Sequence, residues 1–177
     1  MQDWINYFGK MEFVQCFELL KPMMNCMTVI HKMGIIHRDI CPENIIVSDD
    51  LKCHIIDFGT AIEINQDDSR IISESTYRKG YSPPEQYEYG RLIDYSSDIY
   101  SVMATIYYCL TEHRPPDVLG RIRDDIFLEN RTSGISERFK KILKKGMALE
   151  NKNRYRTMEL LVEEMEEVLK VNTLIKS

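Results

Sequence analysis

Two short stretches decide how this chain is read: IHRDICPENII, from Ile36 to Ile46, and DFGT, from Asp57 to Thr60. Asp39 and Asn44 lie five residues apart in the first stretch, and Asp57 opens the second. Between them, Ile45-Ile46-Val47 and Leu51 to Ile56 flank the turn residues Ser48-Asp49-Asp50. That pattern predicts a two-stranded hairpin. A hairpin returns the chain to its starting end, so Asp57 lands beside the loop that carries Asp39 and Asn44. Three oxygen-bearing side chains then converge, and Gly59 lets the backbone turn sharply after them.

Taken singly, each residue has a plain structural use: Asp39 as a turn residue, Asn44 as a cap at strand entry, Asp57 as a helix N-cap. Together they suit phosphoryl transfer. Its transition state is anionic, and catalysis is mostly positioning and charge neutralisation. Magnesium takes oxygen ligands from one or two carboxylates plus the phosphates. An accepting hydroxyl needs a carboxylate near its proton. Asp39 is the candidate acceptor of that proton; Asn44 and Asp57 are the candidate magnesium ligands.

Outward from the loop, apolar residues recur with helical period at Phe13, Cys16, Phe17, Leu20, Met23, Met24, Met27 and Ile30. Pro22 sits inside that helix and is expected to bend it or break one bond, and Gly34 is its expected C′ residue. Residues 57–90 read as irregular. Ile99 to Leu110 is apolar almost all round and reads as a buried central helix. Further helices are expected near 116–128, 136–147 and 157–170. In the last, Leu161, Val162, Met165, Val168 and Leu169 share one face and Glu163, Glu164, Glu166 and Glu167 the solvated one. The fold class is mainly α: a helical bundle with a small β-hairpin at the loop.

The 177 residues suffice for one domain with a real core. The net charge of −5 and the lack of a basic stripe argue against nucleic acid. The longest apolar-rich run, Ile99 to Leu110, is too short for a bilayer. Five cysteines without CxxC spacing, and a first stretch without a secretion signal, point to a reduced, cytoplasmic setting.

The ordered set His37-Arg38-Asp39, Pro42-Glu43-Asn44 and Asp57-Phe58-Gly59 resembles the catalytic core of eukaryotic-type protein kinases. Ser82-Pro83-Pro84-Glu85 resembles the end of their activation segment. Asp98-Ile99-Tyr100-Ser101 resembles the start of their buried helix, and Asn153-Arg154-Tyr155-Arg156-Thr157 their final arginine motif. GYSPPEQY and RYRTMEL are most similar to bacterial serine/threonine kinases of the Firmicute type. The resemblance implies a large (C-terminal) lobe over residues 1–172, with catalytic loop 37–44, activation segment 57–85 and a tail at 173–177. It implies ATP and magnesium, with manganese as a possible substitute, and a protein substrate with a Ser or Thr acceptor. Asp57, Ile46 and Glu43 would lie on the nucleotide side, Ile46 under the adenine. His37 and Phe58 would stack in a hydrophobic spine. Glu85 would pair with Arg154, and Asp98 would take backbone N–H groups from the catalytic loop. Arg38 would meet a phosphate on the activation segment, with Ser69, Ser73, Ser75 and Thr76 as candidate carriers.

Three departures from the family pattern stand out. The lysine usual two residues after the catalytic aspartate is Cys41, a small filler here. The threonine that usually bonds that lysine and aspartate is Arg78. One hydrogen-bonding unit is thus changed at both ends, and Arg78 or Lys79 is expected to supply the missing positive charge. Third, none of the eight glycines makes a G-x-G, and no V-A-I-K-like lysine precedes the catalytic loop. By resemblance Met1 falls just after the hinge and the small N-terminal lobe is absent, so transfer by these residues alone is expected to be negligible. A separate small lobe or partner chain could complete them. Two other readings stand beside this one: an inert kinase-fold binding or scaffold module, and a small-molecule phosphotransferase. The SPPE-like element and the Asp98 and Arg154 motifs, which serve a peptide-docking segment, argue against the last.

Overall fold

The apolar stripe read in the sequence organises the first long helix. The structure is a computed structural model and describes residues 1–64, 70–71, 76–126, 132 and 134–175. A short helix α1 (Gln2–Phe8) precedes α2 (Phe13–Lys32). Glu12 and Gln15 close a reciprocal capping box at the start of α2, and Gly34, at φ 78°, follows its end. The helix runs through Pro22. Its stripe of Cys16, Phe17, Leu20, Met23, Met24 and Met27 is buried. Each such Leu, Met or Phe contributes roughly 1.5–3 kcal/mol of hydrophobic stabilisation.

The centre is α3 (Ser96–Thr111), buried along its whole length and packed against α2, α5 (Glu137–Gly146) and α6 (Met158–Ile175). A helix buried on every side must satisfy its polar side chains internally. It does so by back-bonding: the hydroxyls of Ser101, Thr105 and Thr111 donate to the carbonyls of Ser97, Ser101 and Tyr107 at 3.2, 2.9 and 2.8 Å. On α6, Leu161, Val162, Met165 and Val168 are buried as expected, while Glu164 and Glu166 reach Lys145 and Lys21.

Short strands complete the fold. The expected hairpin is β2 (Ile45–Val47) with β3 (Cys53–Ile55), in register Ile45↔Ile55, Ile46↔His54 and Val47↔Cys53. The described residues between 57 and 90 hold more regular structure than the sequence suggested. Strand β4 (Ile62–Glu63) pairs antiparallel with β1 (Ile35–Ile36), and β5 (Arg70–Ile71) pairs with β6 (Leu92–Ile93). Two-residue strands fall below any periodicity signal, so tertiary contact alone defines them. The helix expected near 116–128 is the shorter α4 (Val118–Arg123), capped by Asp117, whose carboxylate accepts the Leu119 N–H at 3.0 Å. At the other end α6 continues to Ile175, past the helix end expected near 170.

Candidate active site

The loop between β1 and β2 hangs from the N-terminus of α3. Asp98, fully buried, accepts the backbone N–H groups of His37 and Arg38, both at 2.9 Å, and bonds His31 Nε2 at 2.9 Å. Burial alone would raise the Asp98 pKa. The His31 ring and the two N–H groups outweigh it and hold the carboxyl below its ordinary value. Arg38 sits at φ 70°, a left-handed conformation that costs a non-glycine residue roughly 1–2 kcal/mol. Its surroundings fix it there: Asp98 takes its N–H, Gln86 Nε2 donates to its carbonyl at 2.8 Å, and its own guanidinium donates to the Thr60 carbonyl at 3.3 Å. Backbone strain held in this way clusters at functional sites.

The next turn orients Asp39. Asn44 Nδ2 donates to both the Asp39 carbonyl and Asp39 Oδ2, each at 2.8 Å. With its nitrogen committed, the amide keeps Oδ1, which makes no hydrogen bond among the described residues. The Ile56 N–H donates to the Asn44 carbonyl at 3.0 Å, so the return strand of the hairpin delivers Asp57 one residue further on. Asp57 is exposed, at φ 65°, and its Oδ1 accepts the Gly59 N–H at 3.1 Å. The backbone therefore brings Asp57 next to Asn44, while no side-chain bond joins Asp57 to Asp39 or Asn44 among the described residues. Two oxygen donors, Asn44 Oδ1 and Asp57 Oδ2, fit the needs of a hard cation such as magnesium.

The largest surprise is Arg78. Its Nε donates to Asp39 Oδ1 and its terminal nitrogen to Asp39 Oδ2, both at 2.8 Å, in a two-pronged pair. Of the two cations expected near the site, Arg78 makes this contact; Lys79 is exposed and has no bond to Asp39, Asn44 or Asp57 among the described residues. Cys41 is fully buried, and burial pushes its thiol up to about 12, which makes it inert at neutral pH.

The other singled-out residues fall as follows. The His37 and Phe58 rings lie in contact, with centroids 4.5 Å apart and planes tilted by 60°. Glu85 and Arg154 pair through two bonds, and Ser97 also donates to Glu85 at 2.7 Å. Ile46, 49% exposed, and Glu43 line a hollow of about 500 Å³ between α1 and β2. Of the phosphate carriers considered for Arg38, Ser69, Ser73 and Ser75 lie outside the described residues. Thr76 is half-buried, and its carbonyl accepts from Gln86 at 2.9 Å.

Two contributors went unread in the sequence. His31 continues the apolar stripe of α2, and a polar ring on a buried face signals a buried partner. Gln86, which ties the catalytic loop to Thr76, gives no such signal, because an amide in a turn looks like any other.

Comparison with known proteins agrees with this geometry. The family described as protein kinase domain matches residues 1–165. The chain is 32% identical over 169 residues to the probable serine/threonine-protein kinase PknB of Bifidobacterium longum, covering 89% of this chain and 24% of that protein. It is 29% identical over 176 residues to a probable serine/threonine-protein kinase of Clostridium acetobutylicum, covering 95% and 27%. Against serine/threonine-protein kinase D of Synechocystis it is 28% identical over 172 residues, covering 93% and 34%. The chain thus spans about a quarter to a third of the length of these relatives. Protein kinases use ATP with magnesium and act on protein substrates. With a helical lobe built on α3 and a match over nearly its whole length, this chain belongs to the protein kinase family and is similar to its bacterial serine/threonine members.

Proposed function

We propose that these residues form the catalytic lobe of a protein serine/threonine kinase. It transfers the γ-phosphate of ATP to a protein Ser or Thr hydroxyl when a small lobe completes the nucleotide site. The observation that carries this reading is the Asn44 amide, bonded through its nitrogen to the carbonyl and the carboxylate of Asp39. One short loop thereby fixes a carboxylate for the acceptor's proton and leaves the amide oxygen for a cation. Asn44 and Asp57 would hold magnesium, which when bound screens the charge of the phosphates. Asp39 orients the acceptor hydroxyl and takes its proton. Ile46 and Glu43 would border the nucleotide from the hollow beside α1. Residues 1–172 act as one lobe, with catalytic loop 37–44 and activation segment 57–85, in the cytoplasm, where the five free thiols stay reduced.

Kinases also need a glycine-rich loop and a lysine–glutamate pair over the phosphates. No G-x-G occurs within these 177 residues and no V-A-I-K-like lysine precedes the loop, so transfer by them alone is negligible. The test is ³²P transfer from ATP to a Ser/Thr peptide mixture by the native protein at full length and by residues 1–177. The full-length protein transfers; Asp39→Asn lowers its rate by about 10²–10⁴-fold, and Asp57→Ala abolishes it. Wild-type rates in both variants would refute the assignment.

A further inference from the structure

We propose that Arg78, clamped on both oxygens of Asp39, is the cation that meets the transferred phosphoryl group, so that this contact arrives with the activation segment and not from the catalytic loop. The inference rests on the phosphotransfer reading above and assigns that site one more catalytic residue. A guanidinium has five N–H donors in a fixed fork. Asp39 occupies two of them, one on Nε and one on a terminal nitrogen. The remaining N–H groups belong to a side chain that is 39% exposed, so they stay open to an anion at the loop. On the other side of the pair, Asp39 Oδ2 accepts from both Arg78 and Asn44, whereas Oδ1, among the described residues, accepts from Arg78 alone. A carboxylate oxygen has two lone-pair sites. Oδ1 therefore keeps one for a substrate hydroxyl while Arg78 stays in place.

Nearby groups do not offer the same charge. Arg38 is buried and donates to the Thr60 carbonyl. Arg114 faces Glu43 at 3.8 Å and the Tyr81 ring. Cys41 is a buried thiol. Phosphoryl transfer depends on neutralising charge at the moving group, and Arg78 is the guanidinium bonded to the base itself.

The backbone explains why the contact depends on segment docking. The Arg78 N–H donates to Ser82 Oγ at 2.9 Å, and its carbonyl accepts the N–H groups of Tyr81 and Ser82 at 3.0 and 2.9 Å. Gln86 bridges the carbonyls of Arg38 and Thr76 at 2.8 and 2.9 Å. The turn that presents Arg78 is thus joined to the catalytic loop by Gln86, and a displaced segment carries the cation away.

In the transfer, the bond from the acceptor oxygen to the γ-phosphorus forms as the bond from that phosphorus to the bridging oxygen breaks. The hydroxyl proton passes to Asp39, and ADP leaves with the electron pair of the broken bond. Arg78 breaks no bond; its free N–H groups bind the moving oxygens.

The experiment uses the native protein at full length, with Arg78→Thr and Arg78→Lys, and compares ATP with ATPγS, in which sulfur replaces one γ-oxygen. Arg78→Thr should lower kcat by about 10²-fold, the loss typical of a missing transition-state donor, with little change in KM for the acceptor. Arg78→Lys should recover part of that loss. The decisive readout is the ATP/ATPγS rate ratio, which should fall toward one in Arg78→Thr because the variant has lost the donor that distinguishes oxygen from sulfur. A lowered kcat with an unchanged ratio would show that Arg78 acts only by orienting Asp39, and a raised kcat that it is an inhibitory lock; either overturns the proposal. Absence of transfer by the wild type would instead overturn the phosphotransfer reading on which it rests.

Discussion

Glu85 and Arg154, 69 residues apart in sequence, meet in a buried pair with bonds of 2.6 and 3.0 Å. Arg154 also donates to the carbonyls of Ala148, Ser96 and Leu149 at 2.7, 3.3 and 3.0 Å, so its donors are well used. The pair binds the turn at Pro84–Gln86 to the start of α3 and to the turn before α6. Removing one partner strands a buried charge. Glu85→Ala or Arg154→Ala should each destabilise the protein by about 3–5 kcal/mol, read as a lower urea midpoint at constant slope. A loss below about 1 kcal/mol, the range of an exposed pair, would show that water reaches the site.

Asp98 makes the catalytic loop sensitive to acid. Its folded-state pKa lies below the ordinary carboxyl value. Its stabilising contribution is therefore fully present above the unfolded pKa of about 3.9 and is lost as pH falls through the folded value. Urea unfolding between about pH 2 and 6 should show stability level in the upper part of the range and falling once the pH drops below about 3.9. Asp98→Asn should be less stable at pH 7 and show a shallower acid loss. Identical acid slopes in the two proteins would argue against a depressed Asp98.

Thiol labelling reads the packing of the loop directly. Cys16, Cys41, Cys53 and Cys109 are buried, and Cys26 is exposed. Burial raises the Cys41 and Cys53 thiols to about 12 each, so neither presents thiolate at pH 8. Brief iodoacetamide treatment should label Cys26 in the native protein and all five cysteines in 6 M guanidinium, as counted by mass spectrometry. Rapid native labelling of Cys41 would contradict its burial.

Gly80 controls the turn that presents Arg78. It sits at φ 82°, and a Cβ built there would lie 2.6 Å from the Pro115 carbonyl oxygen. Gly80→Ala thus combines left-handed strain with a backbone clash, at about 2–4 kcal/mol. The expected result is a lowered melting temperature together with slower phosphotransfer by the full-length protein. Gly90, at φ 81° with nothing within 4 Å, is the comparison: Gly90→Ala should show the smaller, strain-only loss.

Features set by local pattern were legible in the residues alone. The α2 stripe, the all-apolar face of α3, the turn after β2 and the glycine after α2 follow from periodicity and backbone preference, which act over a few neighbours. The candidate loop was legible because its residues sit in one short segment and a hairpin has one return geometry. Strands β1, β4, β5 and β6 were not, because two residues carry no period. Arg78 drew notice as a cation out of pattern, but its geometry on Asp39 depends on a turn held by Ser82, and across the loop by Gln86.

By itself, then, the sequence determined the helical frame and the make-up of the candidate loop, since charge, hydrophobic period and turn residues are properties of neighbouring side chains. Tertiary structure alone decided which distant groups share a bond: His31 with Asp98, Glu85 with Arg154, Arg78 with Asp39. Such contacts form only when the buried helices pack in one way, and packing is a property of the whole core that no local stretch encodes.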